Sequence, residues 1–460
     1  MASISYWKNL SRIGPKHLIP LSFLMTILIG TLLLLLPVST APGNETGFVT
    51  ALFTATTSVC VTGLTVVTTA SHWSFFGQVV ILLLIQVGGL GVVSIVSLLI
   101  FFLGKKFSLS GRSLLQDAFG LDTRLGVLRF LLRVVKGTLI VEGAGALLYL
   151  PFFLPAYGTR GFWIAVFTAV SAFCNAGIDL FGAESLAPWS GCVPVVLTTS
   201  GLIVLGGLGF VVWFDILKTM REGKKAGYSF NTRLSRLSEH TKLVLLLTVF
   251  LLLGGAVVFL FSERNNPGTF GGLSAGSSFL HALFQSVTLR TAGFSLFPQE
   301  NLTPLSTLLS CLLMFIGGSP IGTAGGIKTV TMFFFLLNAE TYIRGRSETL
   351  VFHHRVPEEL LRRAGAIVTI SSAMVLLLTA VLLMLEQISI ADAIFEMLSA
   401  CATVGLSRSL TPQLGIAGKI IVSFAMFLGR TGPLTMAIFF AIPDQNKRHI
   451  RHAAGQFFVG

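Results

Sequence analysis

At 460 residues, with 53% hydrophobic, only 11% charged and a mean hydropathy of +0.84, the chain excludes a soluble globular protein and reads as a polytopic membrane protein. Thirty-two basic against nineteen acidic residues give a net charge of +13, which has to be mapped against the membrane before any partner is inferred. Five scattered cysteines show no CxxC pair, and the eight histidines form no HExxH. No disulfide scaffold, transition-metal site or enzyme is expected.

A bilayer core takes about 20 mainly apolar residues per helix. Such runs fall at 18–36, 75–103, 127–150, 193–217, 243–261, 305–337 (with a break), 364–385 and 416–442. Within each successive pair lies a shorter stretch rich in Ser, Thr, Ala and Gly, too short to cross but long enough to dip in and return. Basic residues cluster at Lys8, Arg12 and Lys16, then in 105–133, 218–242 and 344–363, and finally at Lys447, Arg448 and Arg451. These are every second connection, so the positive-inside rule places them and both termini in the cytoplasm. The net charge is then a topology signal. Anionic membrane lipid or an acidic cytoplasmic partner is the lesser reading, and nucleic acid drops out. The amino-terminal run is as long as a span, and its removal would delete the first member of a repeat, so a cleaved signal peptide is not expected.

That repeat is found by aligning the short segments on one glycine. They read Ser58-Val59-Cys60-Val61-Thr62-Gly63, Ala172-Phe173-Cys174-Asn175-Ala176-Gly177, Thr288-Leu289-Arg290-Thr291-Ala292-Gly293 and Ala400-Cys401-Ala402-Thr403-Val404-Gly405. The glycines are 114, 116 and 112 residues apart. So regular a period predicts an all-α fold of four pseudo-symmetric span, pore loop, span units around one central pore. The units are 18–106, 107–222, 223–346 and 347–445, with a cytoplasmic segment at 1–17 and a basic tail at 446–460. Phe53, Phe167, Phe284 and Phe395, nine or ten positions upstream of the glycines, are placed to pack short pore helices. The carbonyl ends of four such helices would favour a central cation. The glycine lets backbone carbonyls replace hydration water.

Gly88-Gly89, Gly206-Gly207 and Gly317-Gly318 fall 25, 29 and 24 residues after their filter glycines and read as packing and hinge glycines. The fourth repeat has Gly429-Arg430 there. An arginine at mid-span costs about 2.5–3.5 kcal/mol and must face a wet cavity or partners. A cationic barrier under the filter is the favoured reading, and a clamp on backbone carbonyls the lesser one. In the third repeat, Gly317, Gly318, Ser319, Pro320, Gly322, Thr323, Ala324, Gly325 and Gly326, followed by Lys328, interrupt the second span. Such a segment cannot be regular helix, and it is expected to be an unstructured, flexible gate over 316–328. Arg290 and Glu142 read as members of structural ion pairs or hydrogen bonds. Asp392 and Glu396 read as acids opening the fourth pore helix, and His281 as structural.

Together these motifs resemble the Trk/Ktr/HKT superfamily of potassium transporters over nearly the whole chain. With no extra helices before position 18, the likeness is nearer to the membrane subunit of Ktr-type systems, KtrB, than to TrkH. The resemblance implies potassium uptake through a filter of Val61, Thr62, Gly63, Asn175, Ala176, Gly177, Thr291, Ala292, Gly293, Thr403, Val404 and Gly405. It implies a homodimer in the bacterial plasma membrane, seated on a KtrA-like ring of cytoplasmic RCK nucleotide-binding subunits that work the 316–328 loop. Gly63 favours potassium, whereas Asn175 departs from the repeated filter pattern and implies looser selectivity. Sodium stimulation is common in such members, though no residue here defines a sodium site.

A selective pore needs no pump. About 2.3 kcal/mol per charge per 100 mV exceeds the roughly 1.4 kcal/mol of a tenfold gradient, so no cofactor beyond the transported ion is expected. A coupled secondary transporter (K+/Na+ or K+/H+ symport) is the alternative. It predicts inverted repeats and midplane acids, whereas these repeats are parallel and such acids nearly absent. A membrane enzyme or scaffold would need a catalytic constellation, and none is present in the sequence.

Overall fold

In hydrocarbon every backbone N–H and C=O must find a partner within the protein, and long apolar stretches answer by coiling into helices. The computed structural model describes residues 15–92 and 127–432. The basic residues expected in the cytoplasm at Lys8, Arg12, 105–126 and 447–451 lie outside the described residues.

The first repeat has α1 (Pro15–Leu34), pore helix α2 (Phe48–Cys60) and α3 (Phe75–Leu90). The second has α4 (Val127–Tyr157), pore helix α5 (Arg160–Cys174), α6 (Val193–Gly207) and α7 (Phe210–Lys225). The third has α8 (Glu239–Glu263), pore helix α9 (Ala275–Thr288), α10 (Pro304–Phe315) and α11 (Thr329–Ile343). The fourth has α12 (Glu358–Leu385), pore helix α13 (Ile390–Cys401) and α14 (Ile416–Thr431). The described strands are a two-residue pair, β1 (Leu350–Val351) and β2 (His354–Arg355), before α12.

Burial follows the pattern expected of pore helices wrapped by spans. Phe53, Phe167, Phe284 and Phe395 are all at most 1% exposed. In contrast, Leu24, Ile29 and Leu32 on α1 and Leu139, Leu147 and Leu148 on α4 point outward. Apolar faces of that extent lie against lipid.

The second helices depart from the expectation of unbroken spans. Among the described residues only α4, α8 and α12 are by themselves long and apolar enough to cross. α6 and α7 pass that test only as a pair, and they meet at a 95° bend. The bend is at Gly209 (φ 87°), and α3 and α14 stop at Gly91 (φ 85°) and Gly432 (φ 91°). A left-handed glycine ends an α-helix because it redirects the chain without Cβ strain. The break expected only in the third repeat has a counterpart at Gly209 in the second, and α3 and α14 end at a glycine of the same conformation, while the rest of the expected spans 75–103 and 416–442 lies outside the described residues.

Candidate ion pathway

The four predicted filter segments come together. A β-carbon built on Gly63 would lie 2.6 Å from the Ala176 carbonyl oxygen, and one on Gly177 2.6 Å from that of Ala292. One on Gly293 would be 2.8 Å from the Val404 oxygen, and one on Gly405 would overlap the Thr62 oxygen. Each glycine thus faces the carbonyl of the next repeat, and the fourth returns to the first. The contacts close a ring in chain order.

Backbone conformation repeats as well. Val61, Asn175, Thr291 and Thr403 are all left-handed (φ 55°, 58°, 71° and 52°), two residues before glycines with φ of 102°, 67°, 83° and 94°. The same backbone conformation at all four places sets the four segments in equivalent orientations. A hydroxyl on each pore helix ties its filter back. Thr57 Oγ1 and Ser399 Oγ accept from the amides of Gly63 and Gly405, both at 3.0 Å. Ser171 Oγ and Thr288 Oγ1 donate to the carbonyls of Ile178 and Phe294, both at 2.6 Å. These four struts escaped the sequence reading, although a Ser or Thr recurs five or six positions before each glycine.

The Asn175 side chain, with its amide oriented to suit its neighbours, donates to the carbonyls of Ile203 and Ala172 (3.2 and 3.1 Å). It is tucked against α6. On one side of the ring, Gly63, Gly177, Gly293 and Gly405 floor a cavity of about 500 Å³. Asp179, Glu184 and Glu300 line its wall, with no Lys or Arg. Burial pushes the Asp179 carboxyl from an ordinary 3.8 up to about 6, against the opposing hydrogen bonds from Ser185, Phe181 and Gly182.

The packing glycines carry the repeat to its second helices. A β-carbon on Gly88, Gly206 or Gly429 would overlap the carbonyl of Val59, Phe173 or Cys401, each four residues before its filter glycine. Gly429-Arg430 thus occupies the place of the paired glycines. Gly317 instead packs on the Gly325 carbonyl within its own loop.

The 316–328 loop is not unstructured. Ile316 and Ile327 form a parallel bridge at its base, where the Gly317 amide donates to Ile327 (2.8 Å) and Thr329 to Gly318 (3.1 Å). Ser319 and Thr323 donate backbone N–H groups to the carbonyls of Gly207 and Gly206, and Phe210 donates to Ile321. The Pro320 carbonyl sits against Gly209, where a β-carbon would overlap it, and Gly322 packs against Gly206 and Gly209. Thr323 Oγ1 donates to Phe173 (3.0 Å), and the Gly325 amide to Thr291 Oγ1 (3.1 Å). Gly318 meets Ala324, and Gly325 and Gly326 approach the Ala402 carbonyl. With no helix of its own, the segment satisfies its backbone on three repeats at once.

Arg430 Nη1 donates to the Thr323 carbonyl and Nη2 to that of Gly88, each at 2.7 Å. This is the clamp geometry, and among the described residues no carboxylate neutralises the guanidinium. Lys328 Nζ donates to Ala324 (2.7 Å). Glu142 accepts from Gln86 (3.3 Å) and Cys174 (3.7 Å), a hydrogen-bonded group as expected. Arg290 differs from expectation: it has no ion-pair partner among the described residues, and its buried Nε meets no acceptor. Asp392 pairs with Arg408 (2.7 Å), whereas Glu396 lies in the middle of α13 and accepts from Ser407 (2.7 Å) and Thr411. His281 Nδ1 is bound to the Ser277 carbonyl (2.7 Å).

The fold and the glycine ring define a membrane-embedded helical protein built for transport. Residues 19–450 match the family described as TrkH, cation transport protein, and the chain belongs to that family. It is 36% identical over 434 residues to the potassium/sodium uptake protein NtpJ of Enterococcus hirae, covering 92% of each chain. It is also 36% identical over 450 residues to Ktr system potassium uptake protein B of Bacillus subtilis, covering 98% of this chain and 97% of that one. The crystal structure of the potassium transporter TrkH from Vibrio parahaemolyticus superposes with a TM-score of 0.70 at 16% identity, covering 91% of this chain and 84% of that one.

Proposed function

We propose that the chain is the ion-translocating subunit of a potassium uptake system in the bacterial plasma membrane, with both termini in the cytoplasm and no catalytic step of its own. The observation that carries this is the closed ring in which Gly63, Gly177, Gly293 and Gly405 each face the next repeat's carbonyl. Oxygens fixed in a ring replace an ion's hydration shell and discriminate by number and spacing. The acidic cavity over the ring concentrates cations at its mouth. The filter residues are Val61 to Gly63, Asn175 to Gly177, Thr291 to Gly293 and Thr403 to Gly405.

Below the ring, the 316–328 loop and Arg430 form the gate. The loop touches the third and fourth filter segments through Thr291 and Thr403, so moving it reaches the filter directly. Relatives named as component B of a Ktr system support a partner subunit. A homodimer on a cytoplasmic RCK ring is the assembly proposed, with sodium as an activator. The order of span, pore segment and second helix recurs in all four repeats, which supports a pore over the inverted repeats of alternating access.

The test is rubidium and sodium uptake into potassium-loaded vesicles carrying the purified chain with and without its regulatory subunit, using Gly405→Ser as control. Rubidium flux that exceeds sodium flux and is weakened by the substitution is the expected result. Sodium flux in excess of rubidium would overturn the potassium assignment.

A further inference from the structure

Beside the 316–328 loop, between the third and fourth repeats, the helices leave a second cavity, of about 250 Å³. Phe315, Met374, Val375 and Leu398 give it apolar walls, and Ile327 and Lys328 form the side that belongs to the loop. Along α12 its lining follows Arg363, Ile367, Ser371 and Val375, spaced by four. At 1.5 Å per residue this one helical face carries the cavity over about 18 Å.

Its charge is one-sided. Lys328 and Arg363 both line it and no carboxylate does. Among the described residues Lys328 has the Ala324 carbonyl alone as hydrogen-bond partner. Glu359, the acid nearest Arg363 in sequence, forms no ion pair with it among the described residues, and Glu358 is taken by Arg362 at 3.0 Å. Among the described residues no ion pair includes Arg363.

We propose that this cavity holds an anionic phospholipid, with one acyl chain against the apolar walls and its phosphate on Arg363 and Lys328. An apolar cavity within the membrane-embedded part of a protein is filled from the bilayer, because an acyl chain stays in apolar surroundings on entering and supplies the van der Waals contacts that an empty cavity forfeits. Two basic side chains on the lining and no carboxylate select a negative headgroup, as basic pockets between spanning helices do. The bound chain would lie against Ile327 and the bound phosphate on Lys328, so the lipid touches the segment that closes the base of the loop. The assignment of the site does not depend on which ion the protein carries.

The experiment is retention of lipid. The full chain is reconstituted in vesicles of phosphatidylcholine and phosphatidylglycerol at three to one, re-extracted in mild detergent, and its co-purifying lipid quantified by mass spectrometry. Phosphatidylglycerol is expected to be enriched over phosphatidylcholine. Arg363→Gln, at an exposed position, should weaken that retention about fivefold, equivalent to about 1 kcal/mol for one basic residue at the membrane surface. Met374→Trp, which fills the cavity, should abolish it, while Arg355→Gln on β2 leaves it unchanged. Equal retention of the two lipids, or enrichment unaffected by Arg363→Gln, overturns the proposal. A Met374→Trp variant that changes the oligomeric state and keeps its phosphatidylglycerol also overturns it, and assigns the face to a second copy of the chain.

Discussion

Arg430 and Gly88 stand 342 residues apart in the chain, yet the guanidinium Nη2 of the first donates to the carbonyl of the second at 2.7 Å. The other arm of the same side chain holds Thr323, so one arginine joins the second helix of the first repeat to the loop of the third. Gly88 lies in the last turn of α3, which stops two residues later, so its carbonyl accepts the Gly91 amide at 3.2 Å and keeps a lone pair for the guanidinium.

Hydrogen bonds from a charged donor contribute about 1.5–3 kcal/mol each. Arg430→Ala removes two of them and the positive charge together. Rubidium flux through the variant is expected to rise at least about tenfold, the equivalent of about 1.4 kcal/mol in gate bias, with a lower thermal midpoint. Flux at or below that of the unsubstituted protein would leave Arg430 as a clamp and remove its role as a barrier.

The filter glycines have no room for a side chain. At Gly405 a β-carbon would overlap the Thr62 oxygen at a φ of 94°, so Gly405→Ala must displace the neighbouring strand of the ring. The rubidium-to-sodium flux ratio is expected to fall by about tenfold, about 1.4 kcal/mol of discrimination, in vesicle uptake. An unchanged ratio would mean that ions do not pass through this ring.

Thr57 and Ser399 each satisfy a filter amide. Thr57→Val keeps the volume but leaves the buried Gly63 amide unpaired, which costs about 1–3 kcal/mol. The protein is expected to fold, with a lowered thermal midpoint and reduced selectivity. Ser399→Ala should do the same through Gly405, and because Gly405 packs directly on Thr62 and Gly63 the double variant should depart from additivity for the midpoint.

Asp179 supplies a pH dependence. Because burial raises its pKa to about 6, its charge is present above that value and lost as pH falls through it. Loss of the charge weakens the negative potential of the cavity over the ring. Half-saturating rubidium concentration should therefore rise between pH 7 and 5, and Asp179→Asn should flatten the profile near its low-pH value. For stability the sign is opposite. The folded state binds this proton more tightly than the unfolded chain does, so the favourable contribution is complete below 3.8 and lost as pH rises through 6.

The glycine period, the apolar runs and the arginine in place of a second glycine were legible in the chain itself, because they are sums over local composition and spacing. Period alone was enough to define four copies of one unit, and the alignment of Gly429-Arg430 with Gly88-Gly89 and Gly206-Gly207 holds in three dimensions. Folding was needed to show the bend at Gly209 and the helix ends at Gly91 and Gly432. An isolated glycine in an apolar run has the same composition whether it packs a helix or ends one, and only the neighbours met at that depth choose between them. The same holds for the 316–328 loop. Its glycines and proline forbid helix, but its order comes from amides and carbonyls of Gly206, Gly207 and Phe210, from the Thr291 hydroxyl, and from the reach of Arg430, none of which is near it in sequence. Local pattern determined which backbone cannot be regular; long-range hydrogen bonding decided what it became.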